Sequence, residues 1–193
     1  MQPFIDFWTT HVPHVPDAAM AFVRTCAKVM TYAAGTYFMR PGDYWPYWNF
    51  VLAGAVMALE YAEDGSVSVP WLVTTGGYFT GTVHAFTERH DDVFIMALDE
   101  TRVVQLPNYR LQQAQQQYHT FSELINILKQ RRLEQDARLD DVFRQSSGEV
   151  RVVAFFEAYP RLAPLLPMQQ VCAILQISES TYKRGKRWYY GKR

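Results

Sequence analysis

The sequence predicts an α+β chain built from an N-terminal β-roll of the double-stranded jelly-roll type, a long helix and a C-terminal helix-turn-helix. Three observations predict it. Aromatic residues make up 15% of the 193 residues and fall mostly in the first half, where they suit pleated, half-buried surfaces. From Asn108 to Ser147 there is neither Gly nor Pro, and Gln, Leu, Arg and Glu dominate; these are good helix formers. From Gly148 onward eight Lys and Arg (Arg151, Arg161, Lys183, Arg184, Lys186, Arg187, Lys192, Arg193) stand against three acids (Glu149, Glu157, Glu179) in a chain of zero formal net charge. The preceding part is correspondingly acidic, so the basic end is the part suited to a polyanion.

The expected boundaries are 1–107 for the β-roll with a leading helix, 108–146 for a connecting and dimerising helix, and 147–193 for the helix-turn-helix. The amino-terminal stretch has no basic start and no long apolar run, so no signal peptide is expected. The longest apolar stretch, Phe50 to Leu59, is ten residues, about half of what a membrane-spanning helix needs, and reads as a buried strand. With only Cys26 and Cys172, far apart and without metal-ligand spacing, a reducing, cytoplasmic setting is expected. No membrane partner, metal or cofactor is expected.

Residues 17–30 place Ala19, Phe22, Val23 and Cys26 on one helical face, after an Asp able to cap the start. From Met30 to Pro107 short β-branched and aromatic runs are cut by turn signals at Ala34-Gly35, Pro41-Gly42-Asp43, Glu63-Asp64-Gly65 and Gly76-Gly77, the pattern of a closely spaced antiparallel sandwich. Asp64-Gly65 is the sharpest hairpin signal, because it tolerates positive φ. In the long helix, read with one break, Phe121, Ile125 and Leu128 continue toward Leu139 and Val142, with Arg132 and Gln135 on the same seam. That stripe can pack on the β-roll or pair with a second copy; symmetric pairing is expected, since a helix leaving a small β-domain has little else to cover it.

Pro160, Pro164 and Pro167 divide the remainder into two or three short helices. Met168 to Arg187 follows the helix-turn-helix pattern. Val171, Cys172 and Leu175 form the inward face of the first helix, Ile177 plugs the turn, Ser178 caps the second helix and Tyr182 packs back from it. Ser178, Ser180, Thr181, Lys183, Arg184 and Arg187 are then the candidate contacts to double-stranded DNA, since such a helix enters the major groove with its first turns at base edges. Two positions depart from the pattern. Gln176 stands where Gly is usual and must either turn left-handed at some cost or shift the turn, and Gly185 inside the second helix costs about 1 kcal/mol against Ala.

In layout, the chain resembles the CRP/FNR family of regulators, in particular its compact branch common in Bacteroidetes. The resemblance rests on FMRPGDYWPYWNFVLAGAV, on GGYFTG, on FIMALDETRVVQLP, on the long helix, and on FFEAYPRLAPLLPMQQVCAILQISESTYKR, which is similar to the family's carboxyl-terminal run. It implies a cyclic-nucleotide-binding-like β-roll acting as a sensor, a homodimer, and transcription regulation at a palindromic site. Members that hold a cyclic nucleotide use a Gly-Glu step for the ribose and a following Arg for the phosphate. The matching places here are Gly76-Gly77-Tyr78 and Asp91-Asp92-Val93, so Gly77 replaces the Glu and Asp91 the Arg. An Asp repels a buried phosphate, which argues against cyclic AMP or cyclic GMP as effector. Arg89, two residues earlier, is a candidate shifted clamp, and Gly76, Gly77, Tyr78, Phe79, Arg89 and Asp91 make up the candidate effector pocket. Its aromatics suit a flat or apolar small molecule, or a pocket filled by its own side chains. Two cysteines cannot hold a four-cysteine iron-sulfur cluster, and His11, His14, His84, His90 and His119 read as ordinary surface residues rather than haem ligands.

Two other classes compete. A cupin-like metal enzyme shares the β-roll, but no H-x-H pair with a following Glu occurs, and His84 and His90 are six apart. An interaction module with a non-reading helix-turn-helix is suggested by Gln176 and Gly185.

Overall fold

The computed structural model describes residues 1–63, 67–84, 86–89 and 92–191. The expected Asp64-Gly65 hairpin and Asp91 of the candidate pocket lie outside the described residues, as do His90, Lys192 and Arg193. Two helices, α1 (Gln2–His11) and α2 (Asp17–Cys26), precede nine strands among the described residues. These are β1 (Lys28–Tyr32), β2 (Tyr37–Met39), β3 (Tyr47–Ala53), β4 (Ala55–Tyr61), β5 (Val67–Ser68), β6 (Leu72–Thr74), β7 (Tyr78–Thr80), β8 (Phe94–Ala97) and β9 (Thr101–Pro107). Then follow α3 (Asn108–Gln117), α4 (His119–Phe143), α5 (Gly148–Ala158), a 3-10 turn at Ala163–Leu165, α6 (Met168–Leu175) and α7 (Glu179–Gly191).

The leading amphipathic helix forms, with Ala19 and Val23 buried, but it ends at Cys26, and Lys28–Met30 belong to β1. Asp17 is inside its first turn rather than capping it, because Pro16 takes the cap position. The earlier helix α1 carries no counterpart among the sequence expectations. It inserts Phe4, Ile5 and Trp8 against β3, with Phe4 edge-on to Phe50 at 5.0 Å.

The strands form two antiparallel sheets, ordered β1-β9-β3-β7 and β2-β8-β4-β5, with β6 also on β4. Between them lie Val51, Val56, Ala58, Val73, Phe79, Ile95 and Val103. The apolar run Phe50 to Leu59 is not one strand but two, β3 in one sheet and β4 in the other, with the chain crossing between the sheets at Gly54, whose φ is 89°. A Cβ there would lie 2.7 Å from Asp99 Oδ1 and from Glu100 O, so both the conformation and the close approach require Gly. Because side chains alternate along a strand, β4 sends Val56 and Ala58 between the sheets and Ala55, Met57 and Leu59 to the opposite face.

The long helix is broken once, at Tyr118, whose φ of −131° and ψ of 107° are extended. The stripe expected to pair two copies is used within the chain instead. Phe121, Leu124, Ile125 and Leu128 are buried against α1, α2, β3 and β9, while Leu139 and Val142 enter the core shared with α5. The added cover comes from α1, which the sequence expectations did not include. Arg132 and Gln135 on that seam also face inward: Arg132 donates to Tyr78 O at 3.3 Å and stacks over Trp71, and Gln135 accepts from Thr74 N at 3.4 Å.

The helices after Ser147 dock on the outer face of β4. Ala55, Met57, Leu59, Leu72 and Leu98 share one apolar cluster with Val152, Phe155, Phe156, Leu162, Val171, Ile174, Leu175 and Tyr182. Among the described residues no helix is long and apolar enough to cross a membrane.

Candidate nucleic-acid interface

The site is built on α7, and the geometry of the turn before it sets its direction. Helix α6 buries Val171, Ile174 and Leu175, with Cys172 half-buried beside β5. Gln176 then adopts φ of 53° and ψ of 50°, the left-handed conformation that a Gly would take at less cost. The chain turns without loss of hydrogen bonding, since Ile177 N donates to Cys172 O at 3.1 Å. Ser178 Oγ accepts from Thr181 N at 3.2 Å, which satisfies one of the free amides at the helix start, and Glu179 adds a favourable charge there.

Along α7, Tyr182, Gly185 and Tyr189 are buried, three and four residues apart. Ser180, Lys183, Arg184 and Arg187 are exposed on the opposite side. Lys183 lies 3.7 Å from Glu179. Arg184 is held by Glu149 of α5, its Nε donating to Glu149 Oε1 at 2.7 Å. That hydrogen bond draws the Glu149 carboxyl below its ordinary pKa of 4.5.

The other two candidates differ. The hydroxyl of Ser178 is committed to the cap and to Thr181 Oγ1 at 2.9 Å. Thr181, expected to face outward, is half-buried: a Cβ on Gly148 would be 2.5 Å from its methyl. Lys186, Trp188 and Tyr190 are exposed on the flanks of the same helix.

Gly185, read from the sequence as a weak point of the helix, has a packing reason. A Cβ there would lie 2.6 Å from Val152 Cβ and 2.8 Å from Glu149 O, so its absence lets α7 cross α5 at close range. Glu149 was beyond sequence reasoning. It is thirty-five residues from Arg184, and only the crossing of α5 and α7 brings the two together.

The candidate effector residues are not gathered in one place. Gly76 (φ of 84°) and Gly77 make the β6–β7 turn under α4, where a Cβ on Gly77 would meet Gln135 Oε1 at 2.7 Å and Val73 at 2.8 Å. The space that a longer side chain would need is thus taken by the long helix. Tyr78 and Phe79 alternate: Tyr78 stacks on Trp48 at 6.0 Å, and burial raises its phenol pKa. Phe79 is buried between the sheets among Phe38, Trp45 and Trp71. Arg89 is exposed, with Thr87 Oγ1 accepting from its backbone N–H.

No family profile matches the sequence, and no curated protein does. Solved structures do. FixK2 from Bradyrhizobium japonicum is similar with a TM-score of 0.70 at 14% identity, over 86% of this chain and 85% of that one. The c-di-GMP-responsive global regulator CLP of Xanthomonas campestris gives 0.66 at 16%, over 92% and 93%. A transcriptional regulator assigned to the CRP/FNR family from Eubacterium rectale gives 0.70 at 12%, over 95% and 88%. The fold described above is thus shared over most of the length of each, and the chain has the fold of the CRP/FNR regulators.

Proposed function

We propose that the chain is a homodimeric, DNA-binding transcription regulator that reads a palindromic site through α7. The observation that carries this is the division of α7 into a buried face of Tyr182, Gly185 and Tyr189 and an exposed face bearing Ser180, Lys183, Arg184 and Arg187. An exposed helix of that polarity fits the major groove, where Arg pairs with guanine and Lys and Ser reach phosphate or base edges.

Two copies are brought together along α4. With the original stripe buried, the free side of that helix carries Asn126, Gln130, Leu133, Ala137 and Asp140, four and three residues apart in alternation. That is heptad spacing, and Leu133, 63% exposed, is its apolar centre. The polar positions favour one register. Two such helices would set two α7 helices about one DNA turn apart.

Cyclic AMP and cyclic GMP do not fit as effectors. Gly77 offers no carboxylate for a ribose, Gln135 fills the space beside it, and Phe79 with its aromatic neighbours occupies the interior. The chemistry proposed is recognition, not catalysis.

The test is selection of bound sequences from random duplexes at fixed salt, with sedimentation of the protein alone. An enriched palindrome and a two-chain mass are expected. An unenriched pool would remove the DNA-reading role, and a one-chain mass the paired geometry.

A further inference from the structure

A cleft lies between the β-roll and the docked helices, away from the β-roll interior and from α7. It encloses about 420 Å³ and is lined by Gly54, Thr74 and Thr75 from the β3–β4 and β6–β7 turns, Arg138 from α4, and Tyr159 and Arg161 from the end of α5 and the segment after it. That volume suits a small molecule. Three features of its chemistry converge.

Arg138 and Arg161 are exposed, and neither has an ion-pair or hydrogen-bond partner among the described residues. The acid in the lining, Asp99, is already engaged: its Oδ1 accepts from Ala55 N at 2.7 Å and from Thr101 Oγ1 at 3.3 Å. The cleft therefore has uncommitted positive charge and a committed negative one.

Tyr159 is 5% exposed, and its hydroxyl has no hydrogen-bond partner among the described residues. Burial pushes its phenol up to about 12, with Arg138 acting in the opposite sense, so the group stays a neutral donor at the cation's side. A buried hydroxyl without an acceptor is costly, and a ligand oxygen beside Arg138 would supply one. Pro160 and Leu165 border the same space with apolar surface, and Leu165 is 67% exposed.

We propose that this cleft binds a small organic anion, a carboxylate or phosphate carried on an apolar body, with Arg138 and Arg161 neutralising the charge, Tyr159 donating to an oxygen, and Pro160 and Leu165 covering the body. Since the lining comes from the β-roll, α4 and the segment after α5, occupancy fastens the docked helices to the sheets. The site makes no use of the DNA-facing residues, so it stands or falls independently of that role.

The experiment uses the full chain without DNA, with phenyl phosphate and benzoate as probes, read by calorimetric titration and by thermal unfolding. Saturable binding of at least one probe is expected, with a rise in melting temperature. The double substitution Arg138→Gln, Arg161→Gln should weaken it by about a hundred-fold, two charge-assisted contacts at about ten-fold each, whereas Arg24→Gln on α2 should leave it unchanged. Tyr159→Phe separates binding from folding. It removes an unpartnered hydroxyl, so the unliganded protein should melt higher while binding weakens about five-fold. Absence of saturable binding by either probe, binding that survives the double substitution, or a Tyr159→Phe protein that binds as tightly as the original would each overturn the proposal.

Discussion

Arg184 of α7 is clasped by Glu149 of α5, its Nε and Nη2 sharing one carboxylate oxygen at 2.7 and 2.6 Å. A guanidinium fixed on one side keeps its remaining N–H groups in a set direction, which is how a base-reading Arg is kept from straying along the phosphates. Arg184→Ala should weaken binding to the selected duplex by about 1–3 kcal/mol, with little effect on random duplex. Glu149→Gln should do the reverse, raising affinity for random duplex and shrinking the ratio of specific to non-specific binding. Fluorescence anisotropy on both duplexes at one salt concentration measures this.

The same pair gives a pH dependence of stability. Glu149 is held below its ordinary pKa of 4.5, first by the hydrogen bond from Arg184. A depressed carboxylate contributes stability that is complete above the unfolded value and fades as pH falls through the folded one. Wild type should therefore exceed Glu149→Gln in melting temperature at pH 6 to 7, and the difference should close as pH drops below 4.5. A gap that persists at pH 3 would mean that packing, not charge, makes the difference.

Gly185→Ala separates helix propensity from packing. Propensity alone favours Ala by about 1 kcal/mol. The added methyl would meet a backbone oxygen at 2.8 Å and Val152 Cβ at 2.6 Å, and overpacking of that kind costs about 1–3 kcal/mol. A net loss of stability is expected in denaturant unfolding, and a gain would show that α5 and α7 can move apart freely.

Gly77→Glu introduces the residue that the CRP/FNR resemblance implies for gripping a ribose, yet it should not confer cyclic-nucleotide binding. The Cβ position is already 2.7 Å from Gln135 Oε1 and 2.8 Å from Val73, so the substitution should push the Gln135 amide aside, break its hydrogen bond from Thr74 N and lower the melting temperature. Added cyclic AMP should not recover the loss; recovery would mean that the interior can reopen.

Leu133→Glu should yield a one-chain mass in sedimentation while leaving the far-ultraviolet circular dichroism intact. An unchanged dimer would move the interface off this side of α4.

The parts of the fold that are governed by local chemistry could be read in advance. The Gly- and Pro-free stretch gave the long helix, and its break at Tyr118 leaves the composition unchanged. The position of Gln176 leaves two outcomes, a left-handed residue or a shifted turn, and the chain takes the first. What escaped depends on partners far along the chain. The stripe Phe121 to Leu128 points to a second copy only as long as α1 is left out, and α1, short and closed by His11, lacks a side-chain cap to announce it. The apolar run through Gly54 hid a turn, because Gly inside an apolar stretch resembles strand interior until Asp99 and Glu100 are found pressed against it. Gly185 misled in the same way. Its meaning lies in the closeness of α5, and no window of sequence around it contains that helix.

The outer side of β4 sets a limit on how this chain can be divided. Met57 and Leu59 are as deeply buried as residues between the sheets, and what buries them is the set of helices after Ser147. Truncation after the long helix would leave a greasy strip down the middle of a sheet, and the released fragment would carry the matching strip. Neither piece is equipped to live in water by itself. Melting should accordingly proceed in a single step, with the carboxyl-terminal helices and the β-roll losing order at one temperature.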